Sequence, residues 1–253
     1  MIRPVDKPSW SCYTLAPTMK MRAFGFFVAL TGLFAACSPP KYAHYKSVSG
    51  DFTAYVPWGW NVIADADRDA FSQVNFIGPF DPDFYLGAPS LSVRWYKRYR
   101  PHQMRDGRLE MYSDAQDFIR QMIHDVYGEK SVLYGIGTRE DGGREIIKAP
   151  EDIVLTESQL TAKYFGILSP TPARAGVQWG VSKDSQGHRV NIRLHDYAVV
   201  TVGDGFYVFC YPATLRGHDK GFEYFRALIN TFHPYFAGPG GPKFLIRREA
   251  GKS

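Results

Sequence analysis

Phe52-Thr53-Ala54-Tyr55-Val56-Pro57-Trp58-Gly59-Trp60 starts as a strand and finishes as a corner. Phe52, Ala54 and Val56 fall on one face and Thr53 and Tyr55 on the other, the period-two pattern of a strand with one buried side. Pro57 ends the ladder, Gly59 permits a tight bend, and Trp60 is expected to fold back onto the core. Asp51 to Val56 is therefore read as the first strand of a sheet.

The same alternation continues downstream. Val62-Ile63 reads as a short strand, Asp65 to Asp69 as a polar turn, and Phe71 to Ile77 as a strand closed by Gly78-Pro79. Phe80 to Pro89 reads as a loop rich in aromatics. In Leu91 to Tyr99, Leu91, Val93 and Trp95 alternate with Ser92, Arg94 and Tyr96. Glu145 to Lys148 and Leu160 to Leu168 read as strands, and Ser169 to Gly176 as a loop. Arg189 to Val202 is a long alternating strand, and Gly203-Asp204-Gly205 turns it into its partner, Phe206 to Tyr211. Two stretches carry helical spacing instead. Ser113 to Tyr127 presents Phe118, Ile119, Met122, Ile123 and Val126 as one stripe, with Ser113 as its expected cap. Asp219 to Phe232 presents Phe222, Phe225, Ile229 and Phe232, and His233-Pro234 ends it. No internal repeat and no domain linker interrupts this order. The expectation is one α+β domain over residues 51–236, an antiparallel sheet with helices packed on it.

The Phe52–Trp60 block, followed by paired strands, a middle helix, a late hairpin and a last helix ending Asn230-Thr231-Phe232, resembles the PsbP and Mog1-like families. That resemblance implies an α/β/α sandwich and an accessory binding role rather than catalysis. The long loops at 79–89 and 129–158 depart from the compact family pattern. It transfers no functional residue, because the matching block is structural.

The N-terminus reads as an address. Lys20 and Arg22 precede an uninterrupted run of 14 apolar or small residues, Ala23 to Ala36, the length of a signal core. Leu33-Phe34-Ala35-Ala36-Cys37 resembles the lipobox of bacterial lipoproteins, with Phe34 where Leu is usual. The resemblance implies cleavage before Cys37 and a diacylglycerol thioether on its sulfur. Ser38, which is not Asp, favours the outer membrane, the protein facing the periplasm. An ordinary secretory signal cleaved after Ala36 is the alternative; a buried helix fails because Ser38-Pro39-Pro40 follows at once. The domain order is then a signal at 1–36, of which 1–18 reads as a mis-assigned start, a lipidated tether at 37–50, the domain at 51–236, and a flexible basic tail at 237–253.

Composition narrows the function classes. The 253-residue chain is 45% hydrophobic and 22% charged, which excludes a disordered chain, and its three cysteines exclude a disulfide-stapled mini-fold. Residues 1–36 carry four basic residues (Arg3, Lys7, Lys20, Arg22) and one acid (Asp6), so their removal takes the formal charge from +5 to +2. A near-neutral exported protein is a poor nucleic-acid binder. Cys210, in the apolar run Phe206 to Tyr211, reads as a packing residue without a disulfide partner.

Chemistry-bearing motifs are few. Arg94, Lys97, Arg98, Arg100 and Arg105 interleave with Trp95, Tyr96, Tyr99 and His102. This is a candidate contact for an envelope protein, an anionic lipid or a cell-wall polymer, set against a solvated strand end. His188, His195 and His218 match no compact zinc spacing, so no metal is implied. His195-Asp196 is adjacent on a strand, which sends the two side chains to opposite faces. Phosphate-loop, dinucleotide and Gly-x-Ser-x-Gly motifs are missing, so no cofactor is implied. Glu151, Asp152 and Glu157 read as a solvated loop. The sequence favours a membrane-anchored, non-catalytic binding or assembly accessory. The rival is an envelope hydrolase or cell-wall enzyme, which would gather histidine and acid groups into one cleft.

Overall fold

The computed structural model describes residues 40–67, 70–84, 87–103, 107, 109–127, 145–172, 179, 181–183, 187 and 189–235. Cys37, Arg105, His188 and the tail at 237–253 lie outside them. Five strands open the fold: β1 (Tyr42–Lys46), β2 (Phe52–Pro57), β3 (Asn61–Asp67), β4 (Phe71–Ile77) and β5 (Ser90–Lys97). A small ladder, β6 (His102–Gln103) with β7 (Leu109–Glu110), leads to helix α1 (Ala115–Tyr127). Then come β8 (Glu145–Val154), β9 (Thr161–Pro172), β10 (Ser182–Lys183), β11 (Arg189–Val202) and β12 (Gly205–Thr214). Helix α2 (His218–Asn230) and β13 (His233–Pro234) close it.

All described pairings are antiparallel. The main sheet runs β3-β4-β5-β12-β11-β9-β8, with β10 on β11, and a second sheet runs β1-β2-β13. Strand alternation makes two cores. Val93, Trp95, Ala198, Val200, Tyr207 and Phe209 face the small sheet and α2, whose Phe225, Leu228 and Ile229 are buried there. Their neighbours Tyr96, Tyr197, Val199, Phe206 and Val208 face Phe118 and Ile119 of α1. The helices thus lie on opposite faces of the sheet, the α+β sandwich expected from the sequence.

The corner after β2 behaves as its residues dictate. Gly59 sits at φ +79°, and Trp60 is buried against Tyr224 with ring centroids 5.4 Å apart. Gly203, at φ +59°, makes the β11–β12 turn, and Val202 pairs with Gly205. Phe232, fully buried, meets Phe52, Tyr207 and Phe209 at 4.8–5.5 Å.

Several expectations need correction. Residues 41–50, read as a tether, contain β1, which pairs with β2 from Tyr42↔Pro57 to Lys46↔Thr53. The first strand is therefore β1, and its partly exposed composition hid it. The polar stretch from Asp65 continues β3 to Asp67, because an edge strand tolerates outward polar groups. Ser169 to Pro172 extend β9 along β11, and Glu151 and Asp152 belong to β8, whose register shifts between Ile146 and Lys148 and again between Lys148 and Glu151. The cap of α1 is Asp114, not Ser113. The Asp117 amide donates to Asp114 Oδ1 (2.7 Å), and the amide of Ser113, the residue before the cap, donates to Asp117 Oδ2 (2.9 Å). That backbone donor holds the Asp117 carboxyl below its ordinary pKa.

Gly221, inside α2, has a packing reason. A methyl there would overlap the Tyr211 hydroxyl, which donates to the carbonyl oxygens of His218 (2.9 Å) and Gly217 (3.1 Å). Gly→Ala in a helix ordinarily gains about 1 kcal/mol. Here Gly221→Ala is expected to lose about 1–2 kcal/mol through overpacking. Denaturant titration checks the sign, and a gain would show that Tyr211 yields freely.

Candidate functional site

Two buried carboxylates organise the face that carries α2. Asp51, fully buried in the turn before β2, accepts from the hydroxyls of Ser47, Ser49 (2.5 Å) and Tyr207 (2.8 Å). Its own carbonyl receives the Tyr235 amide at 2.7 Å. The knot joins β1, β2, β12 and the residue after β13, and every donor in it is a hydroxyl or an amide.

Asp196 is the second. It faces away from His195, as strand alternation requires. Its Oδ1 accepts from Tyr164 Oη at 2.5 Å, and its Oδ2 lies 2.7 Å from His218 Nε2. The other ring nitrogen, Nδ1, lies 3.1 Å from Asp219 Oδ1. The imidazole stacks on Phe222 at 5.1 Å and tilts against Tyr211 at 5.8 Å. The hydrogen bond to Asp196 raises the His218 pKa above its ordinary value; partial burial opposes that, and Asp219 adds to it. Carboxylates at both nitrogens favour the imidazolium form and, in this arrangement, occupy both nitrogens. This is an internal ion pair at the start of α2 rather than a general base. His195 lies on the α1 face, its Nδ1 3.4 Å from Tyr197 Oη, so the sheet separates the two histidines. Among the described residues, no group of three or more His, Cys, Asp or Glu could hold a metal ion.

The basic segment is dispersed by its strand. Arg94 turns into the α1 side toward Tyr96, Tyr197 and Cys210, its Nε buried. Lys97 pairs with Asp204 at 3.2 Å, and Arg100 is exposed beyond Tyr99. His102 is buried, stacked on Phe71 at 4.3 Å and 3.6 Å from Glu110. Arg98 lines an open groove of about 350 Å³ with Lys163, Asp114, Asp152, Thr161 and Thr201. Lys163 is already paired with Asp152 at 2.9 Å, so the groove carries balanced charge. Cys210 is a buried free thiol whose pKa burial pushes up to about 11, which suits packing and not nucleophilic attack.

Sequence reasoning missed both carboxylate clusters. Asp196 did leave a signal, since it shares a core-facing register with Ala198 and Val200, where a charge requires a partner. Nothing local named His218, 22 residues away, as that partner.

The aromatics of the Phe80–Pro89 loop and of the β2–β3 corner do not form one cluster. Phe84 is buried beneath Gly217, while Trp58 and Phe80 are exposed. Phe80 meets Trp179 edge to face with centroids 5.5 Å apart. Tyr85 lies outside the described residues.

No known family profile matches the chain, and no curated protein matches it. Among solved structures it is similar to cyanobacterial PsbP (CyanoP) from Synechocystis sp. PCC 6803, with TM-score 0.43 and 16% identity over 81% of this chain and 99% of that one. It is similar to the Saccharomyces cerevisiae Ran-binding protein Mog1p, with TM-score 0.39 and 12% identity over 76% of this chain and 95% of that one. It is also similar to a protein from Bacteroides thetaiotaomicron, with TM-score 0.37 and 12% identity over 77% of this chain and 49% of that one.

Proposed function

We propose that the chain is a cell-envelope lipoprotein, held by acyl chains on Cys37, that binds or helps assemble a partner without catalysing a reaction. The reading is carried by one conjunction: Leu33-Phe34-Ala35-Ala36-Cys37 ends four residues before Lys41, which leads straight into β1. An acylated Cys37 would so be tied to a folded domain with almost no leash. Among the described residues no helix is long and apolar enough to cross a membrane. Anchoring by lipid takes two signals or more, since one acyl chain gives only marginal binding. The occupied nitrogens of His218 support binding over catalysis.

The hydrolase reading has one observation in its favour, the contact of His218 with Asp196 and Asp219. Those contacts use the whole imidazole, and His195 stands behind the sheet.

Full-length protein and Cys37→Ser are compared by membrane fractionation and by the mass of the mature N-terminus. The expected result is a diacylated or triacylated fragment beginning at Cys37 and transfer of the variant to the soluble fraction. An unmodified, soluble wild-type protein would remove the anchor. Mild-detergent pull-down of the anchored form then tests for the partner; hydrolysis of envelope substrates that is lost in His218→Gln would restore the enzyme reading.

A further inference from the structure

The end of the domain that receives the chain from Cys37 is also an end that shows large apolar side chains. The Trp58 amide donates to the Lys41 carbonyl at 3.1 Å, which fixes the β2–β3 corner beside the entry point. Pairing of Asn61 with Ile77, and of Ile77 with Ser90, places that corner level with the loop between β4 and β5. The last residues of β12 and the start of α2 lie at the same end, where Lys220 bonds Asp83 at 2.5 Å and Asp81 at 3.3 Å. Exposed here are Phe80 (66%), Trp58 (47%), Leu215 (45%) and Trp179 (43%). The chain from Cys37 to Lys41 is four residues, which span at most about 14 Å.

We propose that this end rests on the bilayer to which Cys37 is anchored, with Trp58, Phe80, Trp179 and Leu215 at headgroup level. The proposal rests on the lipid anchor argued above. A lipid on Cys37 places its glyceryl group at the boundary of the hydrocarbon, and the headgroup layer beyond it is only about 5–8 Å deep. A tether of this length lets Lys41, and with it Trp58, reach that layer and holds Lys41 within about 14 Å of the hydrocarbon boundary. Tryptophan suits such a position, its ring apolar and its N–H wet. Charge points the same way. Lys41 pairs with Glu223 at 2.9 Å and Lys220 with Asp81 and Asp83, so these lysines are neutralised by the domain's own acids. Contact is thus made by aromatic burial, and zwitterionic phosphatidylcholine, which has no net charge, suffices for it. The opposite end, with the Gly203 turn and Tyr99, points away from the membrane.

The test uses the lipid-modified protein in phosphatidylcholine vesicles, with brominated phosphatidylcholine as quencher. Tryptophan emission is expected to fall by up to about half, because Trp58 and Trp179 are exposed while Trp60 and Trp95 are buried. The double variant Trp58→Phe/Trp179→Phe is expected to lose most of that quenching while remaining on the vesicles. In parallel, Leu215→Cys is expected to react with an aqueous maleimide several-fold more slowly on vesicles than in detergent, and Tyr99→Cys equally in both. Unquenched emission from protein whose Cys37 carries lipid overturns the orientation and leaves the anchor standing. Protection of Leu215→Cys without quenching assigns the surface to a second copy of the chain and also overturns it. If Cys37 carries no lipid, the anchor and the orientation fall together.

Discussion

Asp51→Ala lowers the stability of the domain by about 3 kcal/mol, because it strands the buried hydroxyls that the carboxylate now satisfies. Tyr207 is the costliest of these. It is fully buried in the layer between the two sheets, and its hydroxyl reaches Asp51 from β12, across 156 residues of sequence. Burial, followed by the charge of Asp51, holds the Tyr207 pKa far above its ordinary value, so it stays a donor throughout the accessible pH range. Ser47 also accepts the Asp51 and Phe52 amides at 2.9 and 3.2 Å, so loosening its hydroxyl disturbs the β1–β2 turn as well. Urea unfolding should show a lower midpoint with an unchanged slope. A loss below about 1 kcal/mol would mean that water enters and replaces the carboxylate.

The second large effect belongs to Asp196. Asp196→Ala leaves Tyr164 Oη and His218 Nε2 without their acceptor and costs about 2–3 kcal/mol, His218 being partly open to water. It also changes the pH dependence. The His218 pKa is raised in the folded state, so the protonated ring stabilises the fold fully below about pH 6.5, its unfolded value. That contribution is lost as the pH rises through the folded-state value. The groups facing the ring are Asp196 on β11, Asp219 on its own helix and Tyr211 on β12. Wild-type Tm is therefore expected to fall by about 2–4 °C more than that of His218→Gln between pH 6 and pH 9. Parallel pH profiles for the two proteins would show that the pair contributes nothing through charge.

Elements whose own residues carry the period were legible before the structure. The Phe52–Trp60 corner, β4, β5, the β11–β12 hairpin and both helices follow from alternation, a positive-φ glycine or a helical stripe. β1 was not legible, because its inward face is only Ala43 and Tyr45 among polar neighbours, too short a pattern to read alone; β2 supplies the partner that makes it a strand. β8 was read only from Glu145 to Lys148; its continuation to Val154 was hidden by Pro150, which an edge position tolerates. The dispersal of the basic segment follows from a rule already in hand. Successive residues leave a strand on opposite faces, so Arg94 enters the α1 side while Lys97 does not, and Arg100 lies beyond the end of β5, past Tyr99 at φ +57°. The Asp51 and Asp196 clusters depend on register between distant strands, which no local pattern encodes.

The closing strand sets an order on folding. β13 pairs with β2 through His233↔Thr53 and Pro234↔Phe52, and Tyr235 reaches Thr53 and Asp51. These contacts join the two extremes of the domain, so their loop-closure entropy falls due last. The β11–β12 hairpin, with a two-residue turn, can zip early and gather its neighbours. A chain that emerges N-terminus first holds β2 without one of its two neighbours until Tyr235 has appeared. The small sheet is thus a latch on synthesis, and truncation by only a few residues before Tyr235 would leave a strand edge open to other chains.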